Sequence, residues 1–277
     1  MLKDITLGQF FPGSSPLHKA DPRIKIILSI LYITFVFSAK ATLSYMLAIV
    51  FTVFLIAISG IRPSVILKAL KPLVFIMLFT AFFNIFWTKG AGEPLFAYGI
   101  VKVYKEGIAF AVLMILRIAC ILTGSSVLLT YTTSPIALTD GLERLLSPLK
   151  VIGVPVHEFS MMMTIALRFI PTLIEETDKI MNAQKARGAD FSSGGLVKRA
   201  KALLPVLIPL FASSFRRAGE LATAMECRCY RGDKGRTRMT QLHYSLVDLW
   251  LTIAMLGFGA GVFLINAYLK GIWNFLA

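Results

Sequence analysis

Long uncharged runs alternate with charged segments along most of this chain. Four of the runs precede residue 131 and one lies near the end, and they cover residues 26–39, 41–59, 72–87, 107–130 and 246–268. A helix needs about 20 apolar residues to cross the roughly 30 Å hydrocarbon core of a bilayer. The pattern therefore predicts an all-α integral membrane protein with about five transmembrane helices.

The first run is the shortest of the five. It holds 14 uncharged residues between Lys25 and Lys40. As a helix this run is roughly 21 Å long, so it spans the bilayer only if both lysine side chains extend outward to the membrane surfaces. We count it as a span on that condition.

Two further features lie inside the predicted spans. Arg117 sits near the middle of the fourth run, where a charge is costly unless it has a partner or faces a wet crevice. It marks either a functional pathway or, as we favour, a structural pair or a snorkelling side chain, with Asp248, Glu106 or a partner subunit as the counter-charge. The last run contains three glycines that allow close helix approach: Gly257, Gly259 and Gly261.

Residues 131–245 differ from the rest because they are charged and periodic. They separate a membrane domain at residues 1–130 from a last span and carboxyl terminus at residues 246–277. Ser134-Pro135 and Pro155 predict helix starts, and Ser147-Pro148 predicts a stop. The second of these helices carries an apolar stripe, and Gly188 is placed to end it as a left-handed cap. The stripe consists of Phe159, Met162, Met163, Ala166, Leu167, Ile170 and Ile174.

A further helix is predicted to begin near Leu196, after the flexible sequence at residues 192–195. Its uncharged part, residues 202–215, is as long as the first predicted span. It contains Pro205 and Pro209 and has dense charge on both sides. This context favours a helix that lies along the membrane surface or on a partner protein, within a cytoplasmic helical domain inserted before the last span.

Composition and charge agree with a membrane protein. The chain is 56% hydrophobic with a mean hydropathy of +0.73, and only 16% of its residues are charged. The net charge of +14 is scattered around the apolar runs, which favours cytoplasmic loops over nucleic-acid binding. With five spans, one face carries 23 lysines and arginines and the other carries 5. The bias places the amino terminus and the central domain in the cytoplasm.

Catalytic and metal-binding chemistry find little support in the sequence. The chain has no Gly-rich phosphate loop ending in Gly-Lys-Ser or Gly-Lys-Thr, and its three histidines form no close pair. Its three cysteines give no disulfide framework, and Cys227 with Cys229 is an incomplete metal-ligand set. We therefore predict a non-enzyme with no cofactor or metal of its own. A stand-alone secondary transporter remains an alternative, although Arg117 is the only charge near the middle of a predicted span.

Two short arginine triplets end the two long helices of the central domain. They are Ala186-Arg187-Gly188 and Cys227-Arg228-Cys229, 41 residues apart. An arginine in the last turn faces the negative end of the helix dipole, and its guanidinium binds a carboxylate bidentately. Two similar helix ends would suit two similar receptors. The alternative is a pair of solvated helix-end cations.

These triplets resemble those of the transmembrane T component of energy-coupling factor (ECF) transporters, which import vitamins and transition-metal ions. The resemblance extends over nearly the whole chain, including the order of the apolar runs. Three segments carry it besides the triplets: Asp21-Pro22-Arg23-Ile24-Lys25, Ala189-Asp190-Phe191, and the run from Phe215-Arg216-Arg217-Ala218 to Tyr230-Arg231-Gly232. The second triplet departs from the Ala-Arg-Gly pattern of the family. Because cysteine adopts positive φ less readily than glycine, we expect the second cap to be delayed to Gly232.

The resemblance implies the partners and the location of the chain. Arg187 and Arg228 would each dock on one of two cytoplasmic ATPases, which bind the ATP and magnesium, in the cell membrane of a prokaryote. A small membrane S component would capture the substrate, a vitamin in a shared module or cobalt or nickel in a dedicated one; the long chain favours the vitamin type. Apolar residues of the central helices either contact the S component or pack the helices together: Met161, Met162, Met163, Leu203, Leu204 and Leu207.

Overall fold

The structure, a computed structural model, describes residues 10–87, 96–98, 101–191, 195–232 and 241–268. The described residues are mostly helical, as predicted. It divides into two compact units. The membrane unit comprises Gly8–Leu142 and Leu242–Ala277, and the central unit contains Glu143–Gln241.

The helices of the membrane unit begin with a short α1, Pro16–Lys19, and a longer α2, Pro22–Ser38. After α3, Thr42–Ser59, come α4, Pro63–Leu70, a 3-10 turn, Lys71–Leu73, and α5, Val74–Trp87. Helix α6, Lys105–Ser125, continues into a π-helical turn, Ser126–Thr130, and α10 is Leu246–Tyr268. Helix α7, Pro135–Leu146, leads from this unit into the central unit.

Four segments of the described chain are long and apolar enough to cross a membrane: Thr42–Ser59, Pro63–Trp87, Lys105–Thr130 and Leu246–Tyr268. The first predicted span is not among them. Its helix, α2, has 17 residues and begins at Pro22 rather than Ile26, because Asp21 caps it with a 2.8 Å hydrogen bond from the Arg23 amide. At roughly 26 Å, α2 is shorter than the hydrocarbon core. It packs against α6 and α10.

A short hairpin lies between α5 and α6. Strand β1, Phe96–Tyr98, pairs antiparallel with β2, Val101–Val103. Phe96 lies opposite Val103, and Tyr98 lies opposite Val101. These two strands are the only ones among the described residues, so the class of the fold remains all-α.

Buried polar groups fasten the start of α2 to distant parts of the membrane unit. The Asp248 carboxylate is 1% exposed and accepts hydrogen bonds from the amides of Asp21, at 2.8 Å, and Ser245, at 2.7 Å. The Lys25 ammonium, also 1% exposed, donates to the Thr132 carbonyl at 3.0 Å. A buried charge is tolerated when it is hydrogen-bonded, so these contacts also explain how the segment 21–25 is held in place.

Arg117 has protein acceptors as its partners. Its guanidinium donates to the Ala39 carbonyl at 2.7 Å and to the Tyr45 hydroxyl, and it lies 5.2 Å from the centre of the Tyr45 ring. Asp248, one of the expected counter-charges, is engaged with backbone amides instead. Arg117 therefore fastens the turn between α2 and α3 to α6, in line with the structural reading.

The glycines of α10 were predicted to permit close helix approach. A side chain at Gly259 would meet the Phe35 ring at 2.5 Å, and one at Gly261 would meet Leu47 at 2.9 Å. The prediction is therefore confirmed for these two positions, where α10 lies against α2 and α3. It is wrong for Gly257, which has open space beside it.

The central unit is built from two long helices that follow a 3-10 turn, Ser147–Ile152. Helix α8 is Val156–Ala186 and α9 is Leu196–Cys227; both continue through internal prolines. The predicted starts at Ser134-Pro135 and Pro155 are confirmed, since α7 begins at Pro135 and α8 directly after Pro155. The Ser134 hydroxyl accepts the Ala137 amide at 3.2 Å, as a cap should. Part of the predicted flexible break, residues 192–194, lies outside the described residues.

Candidate functional site

Helices α8 and α9 pack antiparallel in the central unit. Three hydrogen bonds show this, because the residue number rises on one helix as it falls on the other. The bonds run from Gln184 to the Pro205 carbonyl at 3.5 Å, from Arg217 to Glu176 at 2.6 Å, and from the Tyr230 hydroxyl to the Met161 sulfur at 3.1 Å. The carboxyl-terminal end of each helix therefore lies beside the amino-terminal part of the other.

Helix α8 ends in a Schellman motif. The Ala189 amide donates to the Gln184 carbonyl at 3.0 Å, and the Gly188 amide donates to the Lys185 carbonyl at 2.9 Å. Gly188 has φ +88°, so the predicted left-handed cap is confirmed. Arg187 is the C-cap residue of this end.

Helix α9 ends in the same motif, displaced by 41 residues in sequence. The Tyr230 amide donates to the Met225 carbonyl at 3.1 Å, and the Cys229 amide donates to the Glu226 carbonyl at 2.8 Å. The expectation of a cap delayed to Gly232 is wrong, because Cys229 itself adopts φ +54°, the only positive φ of a non-glycine residue in the described chain. Two hydrogen bonds to the last-turn carbonyls offset the strain. Arg228 is the C-cap residue, as Arg187 is in α8.

The ion pair between Glu176 and Arg217 fixes the distance between the two arginine ends. Each partner lies 11 residues before the arginine that ends its own helix. Since the helices run in opposite directions and touch at this pair, the two C-caps lie roughly 33 Å apart along the helix pair, at 1.5 Å per residue.

A hydrogen bond from Ser213, followed by the charges of Arg217 and Arg216, lowers the pKa of the Glu176 carboxyl.

Both arginines are presented to the surroundings. Arg187 and Arg228 are exposed, as are the small residues that flank them: Ala186, Gly188, Cys227 and Cys229. Neither guanidinium has an ion pair or side-chain hydrogen bond among the described residues. The end of α9 also borders a groove of about 540 Å³ between the helices, lined by Met161, Leu221, Met225, Arg228 and Tyr230, among others. Each arginine is therefore free to bind a carboxylate of a partner. The groove distinguishes the end of α9 from the end of α8.

The apolar residues expected at the S component divide into two groups. Met162, Met163, Leu203, Leu204 and Leu207 are exposed, each by 42% or more of its surface. Part of each of these side chains is therefore free for a contact outside the helix pair. Met161 is half-buried, and its sulfur accepts the Tyr230 hydroxyl beside Arg228.

The two thiols beside Arg228 were considered above as an incomplete set of metal ligands. Among the residues that the structure describes, no group of three or more histidine, cysteine, aspartate and glutamate side chains could hold a metal ion. Cys227 and Cys229 are exposed free thiols.

The contact between Glu176 and Arg217 was not predicted from the sequence. A signal for it exists, since these oppositely charged residues are separated by the same 41 residues as the two arginines. This spacing alone does not show that the two residues meet, because it does not determine where the helices cross.

We expect Cys229→Gly to stabilise the end of α9. Glycine adopts positive φ without the steric penalty of a Cβ, so the free energy of unfolding should rise by about 1 kcal/mol. Gly188→Ala is the matched control at the equivalent position and should lower it by a similar amount. Thermal unfolding of the purified chain in detergent measures both, and equal melting temperatures for Cys229→Gly and the parent would contradict the strained cap.

Charge reversal at the helix crossing should be rescued by a swap. Glu176→Arg places a cation against Arg217 and should lower the melting temperature, whereas Glu176→Arg combined with Arg217→Glu should restore most of it. Glu175→Arg, at an exposed neighbouring position, is the control. Because the pKa of Glu176 is lowered, the contribution of the pair is present above the ordinary pKa of a glutamate and is lost as the pH falls through the lowered value. If Glu176→Arg had the same melting temperature as Glu175→Arg, a stabilising contact between Glu176 and Arg217 would be excluded.

Comparison with known proteins identifies the family. Residues 13–239 match the family described as CbiQ, a cobalt transport protein. The energy-coupling factor transporter transmembrane protein EcfT of Clostridium kluyveri is 54% identical over 256 residues, 92% of this chain and 94% of that protein. The EcfT of Acidaminococcus fermentans is 53% identical over 98% of each chain. That of Bacillus subtilis is 43% identical over 96% of this chain and 100% of the relative.

These matches cover both the membrane unit and the central unit, so they concern the whole architecture. They agree with the arginine triplets and with the order of the apolar segments. The chain is accordingly a multi-pass membrane protein and a non-catalytic subunit rather than an enzyme. It belongs to the CbiQ family as a transmembrane T component of energy-coupling factor transporters.

Proposed function

We propose that this subunit couples two cytoplasmic ATPases to a small substrate-binding S component in the uptake of a vitamin. The observation that carries the proposal is the pair of identically capped arginine ends at opposite ends of one antiparallel helix pair. A separation of roughly 33 Å is large enough for two separate protein subunits to bind at once. The ATPases supply the nucleotide and magnesium sites.

Each arginine end would dock on one ATPase. An exposed C-cap arginine reaches a carboxylate of the partner bidentately, and the small residues beside it allow the helix end to enter a narrow groove. Because α8 and α9 are held together at Glu176 and Arg217, displacement of one end is transmitted to the other part of the pair. ATP-driven movement of the two ATPases would thereby reach the S component.

The excess of basic residues supports a cytoplasmic position for the amino terminus and the central unit. Between Arg144 and Arg238 the chain holds 16 lysines and arginines, a distribution found on the cytoplasmic side of membrane proteins. ATPases that use cellular ATP must lie on that same side. The charge bias and the docking proposal therefore agree with each other.

The exposed apolar residues of α8 and α9 would form the contact with the S component. Methionine and leucine side chains exposed by 42–61% on one helix pair favour burial against an apolar partner. Flexible methionine side chains tolerate partners of different shape, which suits a module shared among several S components. Met161 is the least suited of the proposed residues because it faces Tyr230.

A dedicated cobalt or nickel importer is the alternative substrate assignment. It is favoured by the description of the matching family as a cobalt transport protein, whereas the names of the three relatives mention the energy-coupling factor and no metal. A stand-alone secondary transporter is disfavoured, since Arg117 is engaged by Ala39 and Tyr45 and so has a structural role. Identification of the ligand bound to the co-purified S component distinguishes a vitamin from a metal.

Reversal of both docking charges should separate the ATPases from the membrane. We expect Arg187→Glu with Arg228→Glu to weaken co-purification of the ATPases by about 30-fold or more, because each variant opposes a partner carboxylate with a like charge. Arg168→Glu, an exposed position in the middle of α8, is the control and should retain them. Normal assembly and normal uptake by the double variant would refute the docking proposal. Each single variant should lose one of the two ATPases preferentially.

Acidic substitutions among the exposed apolar residues of α9 should release the S component and leave the ATPases bound. Leu204→Asp with Leu207→Asp should reduce co-purification of the S component and leave the ATPases bound, because a buried unpaired carboxylate strongly opposes an apolar contact. Val197→Asp, an exposed apolar position in the first turn of α9, is the control. Retention of the S component by the Leu204 and Leu207 variant would show that this surface is not the contact.

A further inference from the structure

An apolar turn projects from the central unit between α7 and α8. We call residues 149–154 the apolar tip. Its aliphatic side chains are unusually exposed: Leu149 by 38%, Val151 by 91%, Ile152 by 77% and Val154 by 44%. Val151 is the most exposed large hydrophobic residue of the described chain. Aliphatic residues grouped in this way indicate a contact that removes them from water.

The apolar tip has a defined shape of its own. The Val154 amide donates to the Leu149 carbonyl at 3.3 Å, and the Gly153 amide donates to the Lys150 carbonyl at 3.0 Å. Gly153 closes this turn with φ +87°. The tip is therefore held in place before any partner binds, so little ordering entropy is lost on contact.

The base of the tip is fastened to the two helices that flank it. Val156, in the first turn of α8, is 4% exposed. His157 of α8 lies 3.0 Å from the carboxylate of Glu143 in α7, and both side chains are nearly buried. These contacts hold the tip in position, because the helices on both sides of it, α7 and α8, are in contact with each other.

We propose that the apolar tip inserts into the interfacial layer of the lipid bilayer and acts as a second membrane contact of this subunit. This contact is separate from the membrane-spanning helices and does not depend on the docking of ATPases or of the S component. Transfer of Val151 and Ile152 from water into the acyl-chain boundary provides the driving force.

The chemistry of the segment favours lipid over a protein partner. Lys150 is the single charged residue among positions 145–156, and it is a cation, which suits an anionic bilayer surface. A narrow convex turn fits between lipid headgroups without a complementary pocket.

Connectivity places the tip within reach of the membrane surface. The candidate span Lys105–Thr130 ends only four residues before α7 begins. Helix α7 adds 12 residues, roughly 18 Å, before the 3-10 turn that leads into the tip. A segment so close in sequence to a candidate span can reach the bilayer surface without a long linker.

Nitroxide accessibility in the full chain tests the proposal. Val151→Cys and Ile152→Cys are made in a background with Cys120→Ala, Cys227→Ala and Cys229→Gly, spin-labelled, and reconstituted in vesicles of phosphatidylethanolamine and phosphatidylglycerol. Because these side chains are so exposed, the labels disturb no internal packing. Glu175→Cys serves as the water-exposed control, and Leu256→Cys, 54% exposed on α10, serves as the lipid-exposed reference.

If the tip inserts, the nitroxides at positions 151 and 152 should be several-fold more accessible to oxygen than to a water-soluble nickel chelate. The nitroxide at Leu256→Cys should show the same ratio. The result must hold without ATPases or S component. Nickel accessibility equal to that of Glu175→Cys would place the tip in water and overturn the proposal. Protection from both reagents only after assembly with the partner subunits would also overturn it, because a protein would then cover the tip. Neither result bears on the docking variants, which are measured by co-purification.

Discussion

The antiparallel packing of α8 and α9 decides where the two arginine ends lie, and the ion pair between Glu176 and Arg217 shows its register. Each helix end is local in sequence, whereas the distance between the ends is a property of the pair. A slip by one helical turn would move each end by about 5 Å relative to the other helix. The half-buried geometry of this contact therefore matters more for position than for stability.

Helix capping is the second constraint, and it acts on both ends alike. Backbone carbonyls of the last turn must find donors, and a left-handed residue directly after the C-cap supplies two of them. This requirement fixes Arg187 and Arg228 at equivalent positions although the flanking residues differ. At Cys229 the cap is kept at a conformational cost. The left-handed conformation of Cys229 keeps Arg228 at the position that Arg187 has in α8.

Local signals in the sequence were sufficient for most helix boundaries. Ser134, Pro155 and Gly188 act within a few residues of themselves, so their roles follow from capping chemistry alone. The start of α2 was placed too late because the hydrophobic run was given more weight than the cap at Asp21. The family, too, could be inferred from short motifs, because both triplets lie at helix ends.

Contacts between residues distant in sequence could not be predicted in this way. Asp248 meets Asp21 across 227 positions, and Arg117 meets the Ala39 carbonyl across 78. Such pairs depend on how the helices are arranged around each other, which hydropathy does not determine. The missed crossing of α8 and α9 and the open space beside Gly257 have the same origin.

The hydroxyl of Tyr32 illustrates what the membrane unit contributes. It is fully buried in α2 and bonds to Thr52 of α3 at 2.7 Å and to the Cys120 carbonyl of α6 at 2.9 Å, so one polar atom ties three helices together. Groups satisfied in this way resist separation, since opening any of the three would leave a polar atom unpaired in an apolar medium. A force applied to one of these three helices is therefore shared by the other two.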